Sequence, residues 1–188
     1  MNEFNKAALF NSAKRINVSY FKEQQEDAIN AIWQWWQSSS ITFTLSGYAG
    51  TGKTFIMRHL VRYLITEKVC VTAPTHKALR VLENSSGRKG ITIQSLCGLR
   101  PDVDIEDYNI ENPSFKVIGE QKMRSYKLVI VDECSMVNPG LFTLLVKTAM
   151  QCRCKLLFLG DELQIPYVVT KNKDEEDNYN RISPTFTC

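Results

Sequence analysis

Apolar positions recur along this chain with changing period, and the changes predict its elements. From Glu23 to about Gln37, residues Ala28, Ala31, Ile32, Trp35 and Trp36 fall at i, i+3, i+4, i+7 and i+8. That is the stripe of a helix facing a core, with Trp33 the tryptophan expected to be exposed. The run Ile41–Leu45 then reads as a strand, and Lys53 to about Thr66 as a helix whose Ile56, Leu60, Val61 and Leu64 keep the 3.6 period. A strand over Lys68–Ala73 ends at Pro74, a helix follows from about Thr75 to Glu83, and Ile93–Leu99 reads as a short helix. Lys127–Val131 is nearly all apolar, as expected of a strand covered on both faces. A helix runs from Asn138-Pro139 to about Gln151, with Pro139 in its first turn, and Lys155–Gly160 is the fourth clear strand. Strands and helices in alternation argue for a mainly parallel sheet with helices on both faces. On such sheets ligands sit at the carboxyl ends of the strands.

Three stretches fall outside this rhythm. Residues 1–20 are mixed, with a short helix expected over Lys6–Arg15. Residues 101–126 begin polar and acidic, with a short strand expected at Phe115–Ile118; a segment this long between core elements is usually functional or disordered. Residues 171–188 are a polar tail without periodicity.

Composition changes the picture only modestly. The 188 residues make one ordinary domain, and 44% hydrophobic with 23% charged content is that of a globular protein. A net charge of +3 is too small to argue for nucleic acid, so any such claim rests on where the lysines and arginines lie. No apolar run is long enough to span a membrane and the N-terminus lacks the apolar core of a signal peptide, so no membrane role and a cytoplasmic location are expected, or the host cytoplasm for a viral protein. The six cysteines show no C-x-x-C pair. Cys152 and Cys154 offer two zinc ligands with no further pair at a recognisable spacing, which favours reduced, buried thiols.

The chemistry concentrates in Gly47-Tyr48-Ala49-Gly50-Thr51-Gly52-Lys53-Thr54, between a predicted strand and a predicted helix. This is the G-x-x-x-x-G-K-[ST] pattern. Gly47, Gly50, Thr51 and Gly52 let backbone N–H groups wrap a polyphosphate, Lys53 reaches the β/γ-phosphates, and the Thr54 hydroxyl ligates Mg²⁺. The helix dipole that follows adds to the anion site. Downstream, Leu128–Val131 runs into Asp132 and Glu133. Asp132 suits the metal and Glu133 suits activation of a water at the γ-phosphate. After the fourth strand, Gln164 offers both donor and acceptor to the γ-phosphate or its attacking water.

Taken in order, these residues resemble the first RecA-like domain of the superfamily 1B DNA helicases, closest to the Dda/RecD-like group, over roughly residues 21–168. Phe21–Ala28 is similar to that family's Q motif, which would put Gln25 on adenine; Ala73–Ala78 to motif Ia; Thr92–Ser95 to the next DNA-contacting motif; Asp132–Met136 to motif II; and Gly160–Pro166 to motif III. The resemblance implies a three-layer α/β/α P-loop domain over residues 21–170, preceded by a 1–20 extension, binding ATP and Mg²⁺ and acting 5′ to 3′ on single-stranded DNA. It puts Pro74, Thr75, His76, Lys77, Thr92 and Ser95 on the strand. It also places a strand-separating pin in the 101–126 region, with Phe115 or Tyr108 as its wedge. Two residues depart from the family pattern: Gln94 stands where histidine is usual, and Tyr167 replaces a proline. A second RecA-like domain is expected from the remainder of a longer protein, into which residues 171–188 lead, or from a partner chain. The competing readings are a small phosphate-loop kinase and a non-catalytic nucleotide-binding module completed by a partner.

Overall fold

The computed structural model describes residues 23–63, 68–99, 119, 121–163 and 183–186. Four parallel strands form one sheet: β1 (Thr42–Ser46), β2 (Val69–Thr72), β3 (Leu128–Val131) and β4 (Lys155–Gly160), in the order β1-β4-β3-β2. Thr72 lies beside Val131, Val131 beside Phe158, and Ser46 beside Gly160, so all four carboxyl ends share one edge. Five α-helices accompany the strands among the described residues: α1 (Glu23–Gln37), α2 (Lys53–Tyr63), α3 (His76–Ser86), α4 (Ile93–Cys97) and α5 (Pro139–Cys152).

The helices divide between the two faces of the sheet, and strand residues alternate accordingly. Val69, Val71, Leu128, Ile130, Leu157 and Leu159 pack with α1, α2 and α3. Their neighbours Cys70, Val129, Val131, Leu156 and Phe158 pack with α4 and α5. The three-layer α/β/α class expected from the alternating pattern is the observed one. Strands covered on both faces have no polar face to show, which is why they read as continuous apolar runs.

Helix ends follow local chemistry. The Thr75 side chain accepts from the Ala78 N–H to cap α3, Thr92 does the same for α4 from Ser95, and Asn138 for α5 from Leu141, with Pro139 beginning the helix. Gly87 and Gly98 close α3 and α4 in the left-handed conformation that glycine adopts freely. The end of α1 is held differently. The Lys155 ammonium donates to the carbonyls of Trp35, Ser38 and Ser40 at 2.8–2.9 Å and lies 4.9 Å from the centre of the Trp35 ring. A cation at a helix C-terminus meets the negative end of the dipole, and here it joins the N–H and hydroxyl of Ser38 on the Trp35 carbonyl.

One reading of the sequence is corrected. Fully buried Ile29 joins Ile32 and Trp35 at the centre of the α1 stripe, while Trp33 is half-buried against the same cluster instead of exposed. Apolar residues at 29, 32, 33, 35 and 36 span so wide an arc that periodicity alone does not locate its middle. Of the expected polar tail, residues 183–186 are described. They fold into a 3₁₀ turn, Pro184–Phe186, against β1 and α5. Ser183 donates to the Val137 carbonyl at 2.7 Å, Thr185 to that of Cys134 at 3.3 Å, and Thr44 to that of Thr185. Attachment through hydroxyls leaves no hydrophobic period to read.

The expected helix at 6–15, the strand at 115–118, and Phe21, Tyr108, Phe115, Gln164 and Tyr167 lie outside the described residues. No helix among the described residues is long and apolar enough to cross a membrane. Cys70, Cys97, Cys134 and Cys154 are buried free thiols, with burial pushing each up to about 12, and no described cluster of His, Cys, Asp and Glu has the makings of a metal site by itself.

Candidate nucleotide site and the adjoining basic face

The sheet order decides what meets at its carboxyl edge. With β4 between β1 and β3, the loop after β1, the carboxylates after β3 and the turn after β4 converge. The Gly47 N–H donates to the Gly160 carbonyl at 3.2 Å, tying the phosphate loop to the end of β4. Gly160 leaves room that a side chain would take, since a Cβ there would meet Cys134 Sγ at 2.5 Å. Residues 47 to 52 then form a tight arch. Thr51 donates through both its N–H and its hydroxyl to the Tyr48 carbonyl, at 3.3 and 2.8 Å.

Two glycines in the arch are required by conformation. Gly50 and Gly52 adopt φ +80° and +93°, where side chains are strained, and a Cβ on Gly52 would come within 2.2 Å of Gln25 Nε2. Gln25, on the first turn of α1, donates from Nε2 to the Thr51 carbonyl at 3.1 Å. It therefore braces the loop from outside. Lys53 opens α2 and folds back over the arch, donating to the carbonyls of Gly47 and of Tyr48, the latter at 2.9 Å. Thr54, next along, is exposed at the mouth.

Asp132 and Glu133 leave β3 at the same edge. The Asp132 N–H donates to the Thr72 carbonyl at 3.0 Å, and the Glu133 N–H to Asp132 Oδ1 at 3.0 Å. Burial raises the Asp132 carboxyl above its ordinary range, opposed by the Glu133 N–H and by the charge of Lys53. Burial also raises Glu133, the Asp132 charge adds to the rise, and Lys77 opposes it. Lys53, Asp132, Glu133 and Lys77 thus form a chain of charges along the edge. Glu133 sits at φ 52°, ψ 44°, a left-handed conformation uncommon for a residue with a side chain. Holding it costs on the order of 1–2 kcal/mol, and such outliers concentrate where function needs a particular aim.

An anhydride of phosphates with a hard divalent cation fits this donor set. The arch gives backbone N–H groups and open space beside Gly50, while the Thr54 hydroxyl and Asp132 carboxylate are oxygen ligands of the kind Mg²⁺ prefers.

The candidate DNA residues lie on the chain beyond β2. His76 and Lys77 are exposed on the first turn of α3, and with Arg80, Val81 and Asn84 they line an open groove of about 410 Å³. Pro74, Thr75, Thr92 and Ser95 are half-buried. Both threonines already cap helices through an oxygen lone pair, and a hydroxyl engaged that way still has its proton to donate. Sequence reasoning missed the role of Lys155, whose partners are carbonyls 115 to 120 positions away and carry no side-chain signature.

Comparison with known proteins gives a consistent neighbourhood. The sequence pattern of a family described as an AAA domain matches residues 25–170. The chain is 31% identical over 168 residues to the ATP-dependent DNA helicase dda of Enterobacteria phage T4, covering 88% of this chain and 36% of that protein. Its fold superposes on Bacteroides Pif1 in complex with ADP-AlF4 with a TM-score of 0.58 at 26% identity, covering 80% of this chain and 34% of that one. Bacteroides Pif1 bound to ssDNA superposes at TM-score 0.53 and 25% identity over the same shares. The chain therefore spans about a third of the length of these relatives.

Proposed function

The chain belongs to the AAA domain family and is homologous to the Pif1/Dda-like helicases of superfamily 1B, and we propose that it is the ATP-binding, ATP-hydrolysing motor domain of a 5′–3′ DNA helicase acting on single-stranded DNA. One observation supports this above the others. The glycine arch, Lys53 and the Asp132–Glu133 pair meet at one edge of the sheet, next to a groove lined by His76, Lys77 and Arg80.

In this reading the arch N–H groups and Lys53 hold the β- and γ-phosphates. Thr54 and Asp132 would hold Mg²⁺, which would supply neutralisation of charge on the transferring phosphoryl group. Glu133 takes the proton of the attacking water. Gln164 senses the γ-phosphate or that water. Gln25 is given to adenine, whose N6 and N7 suit a carboxamide, and its bond to Thr51 would carry nucleotide occupancy to the arch. Thr75, His76, Lys77, Thr92 and Ser95 bind the strand through its phosphates, which positions it without reading sequence, and Pro74, with no N–H to give, lies against the strand without a phosphate bond.

A second RecA-like domain, in a longer protein or a partner chain, completes the motor. In related nucleotide hydrolases an arginine supplied from outside the site contributes roughly 10³–10⁵ in rate. Turnover by these 188 residues is accordingly expected to be slow. Measuring ATP hydrolysis with and without single-stranded DNA tests the proposal. Slow, Mg²⁺-dependent turnover is expected. Brisk DNA-stimulated hydrolysis by this chain alone would contradict the two-domain reading, and phosphoryl transfer to a small acceptor would favour a kinase.

A further inference from the structure

Among the described residues, exposed Lys122 is held in a defined place by a side chain of another element. Lys122 begins the 3₁₀ turn Lys122–Ser125, and its ammonium donates to Ser95 Oγ at 3.1 Å. The two residues are 27 apart in sequence, and their meeting is built in at both ends. On one side, Thr92 accepts the Ser95 N–H and fixes the first turn of α4, while Ile93, Leu96 and Cys97 are fully buried beneath it. On the other, fully buried Met123 anchors the 3₁₀ turn in the same layer, so its flanking residues Lys122 and Arg124 remain exposed. The Gly119 N–H donates to the Gly98 carbonyl at 3.0 Å, a second tie between the two segments. Residues 121–127 contain Lys122, Arg124 and Lys127, with Glu120 the one acidic residue beside them in sequence.

A free surface lysine pays rotamer entropy whenever it binds an anion; a lysine already held by a neighbouring hydroxyl pays less. The pair also has the correct donor count. An ammonium with one N–H on Ser95 keeps two to give, and the serine hydroxyl, accepting from the lysine, keeps its own proton. Two donors 3.1 Å apart suit adjacent oxygens of one phosphate.

We propose that Lys122 and Ser95 together form a two-donor contact for a backbone phosphate of single-stranded DNA, with Lys122 a strand-binding residue in its own right. The inference rests on the single-strand reading above and assigns it a residue beyond the resembled motifs. The contact supplies positioning and salt-dependent affinity and reads no base.

Titrating a fluorescein-labelled oligo(dT) into the 188-residue chain by fluorescence anisotropy, over roughly 50–200 mM salt, tests it. For Lys122→Ala the affinity at low salt should fall several-fold, and the slope of log K against log salt should become shallower by about 0.7, the value for one lost phosphate contact on a single strand. Lys122→Arg should keep the slope. Lys147→Ala, which removes an exposed lysine from α5, should behave as the wild type. An unchanged slope in Lys122→Ala, or an equal change in Lys147→Ala, overturns the contact while leaving the single-strand reading intact. Wild-type chain that fails to bind the oligonucleotide at any salt overturns both.

Discussion

At the scale of single residues, the two carboxylates after β3 are the proposed metal ligand and base, and their environments set what each costs. Asp132 has a carboxyl raised above its ordinary value near 3.8, chiefly by burial. The folded chain therefore binds this proton more readily than the unfolded chain does. The stability associated with that is fully present below the ordinary value and is lost as pH rises through the raised one. At neutral pH an ionised Asp132 is thus a net cost in the metal-free protein. Asp132→Asn keeps the acceptor for the Glu133 N–H and removes the charge, so it should raise the urea midpoint at pH 7. That advantage should shrink as the pH falls toward 4, and the variant should lose Mg²⁺-dependent nucleotide binding. A midpoint lowered at every pH would mean that Asp132 is held by attraction to Lys53 more than it is penalised by burial. The sequence made both carboxylates legible by their place after an apolar strand. It gave no sign of the left-handed backbone at Glu133, because a non-glycine residue carries no spelling for positive φ.

At the scale of elements, the strands and helices were legible almost throughout. Apolar periodicity located α2, α3, α5 and all four strands to within a few residues, and the cap residues Thr75, Thr92, Asn138, Gly87 and Gly98 explain where helices begin and end. The middle of the α1 stripe was not legible, because too many of its positions are apolar. Nor was the docking of residues 183–186, which depends on hydroxyls meeting distant carbonyls. Caps also complicate the reading of motifs, since Thr75 serves α3 whether or not it touches DNA. Two substitutions separate those roles. Thr75→Asp keeps a good cap and should leave stability within a few tenths of a kcal/mol, yet its negative charge should weaken oligo(dT) binding at least about tenfold. Thr75→Ala should cost about 1 kcal/mol of stability. If Thr75→Asp binds oligo(dT) like the wild type, Thr75 is a cap only.

At the scale of the whole molecule, the order β1-β4-β3-β2 is the feature that makes a site from separated motifs. It brings residues 47–54, 132–133 and 160–161 to one edge, and it sets the end of β2, where α3 begins with His76 and Lys77, beside the end of β3. Alternation of strand and helix predicts a parallel sheet but leaves strand order open, so this convergence was legible only through the resemblance of the motifs taken in sequence. The charges of Lys53, Asp132, Glu133 and Lys77 then link the phosphate loop to the basic face across adjacent strand ends. The central claim is that the edge holds Mg²⁺ and ATP through the arch and Lys53. Equilibrium binding of a fluorescent ATP analogue to the wild-type chain and to Lys53→Ala, each with Mg²⁺ and with EDTA, tests it most directly. Binding by the wild type should depend on Mg²⁺ and should fall at least about tenfold in Lys53→Ala, the loss of a charge-assisted contact. Equal binding by the two proteins, or binding indifferent to Mg²⁺, would contradict it.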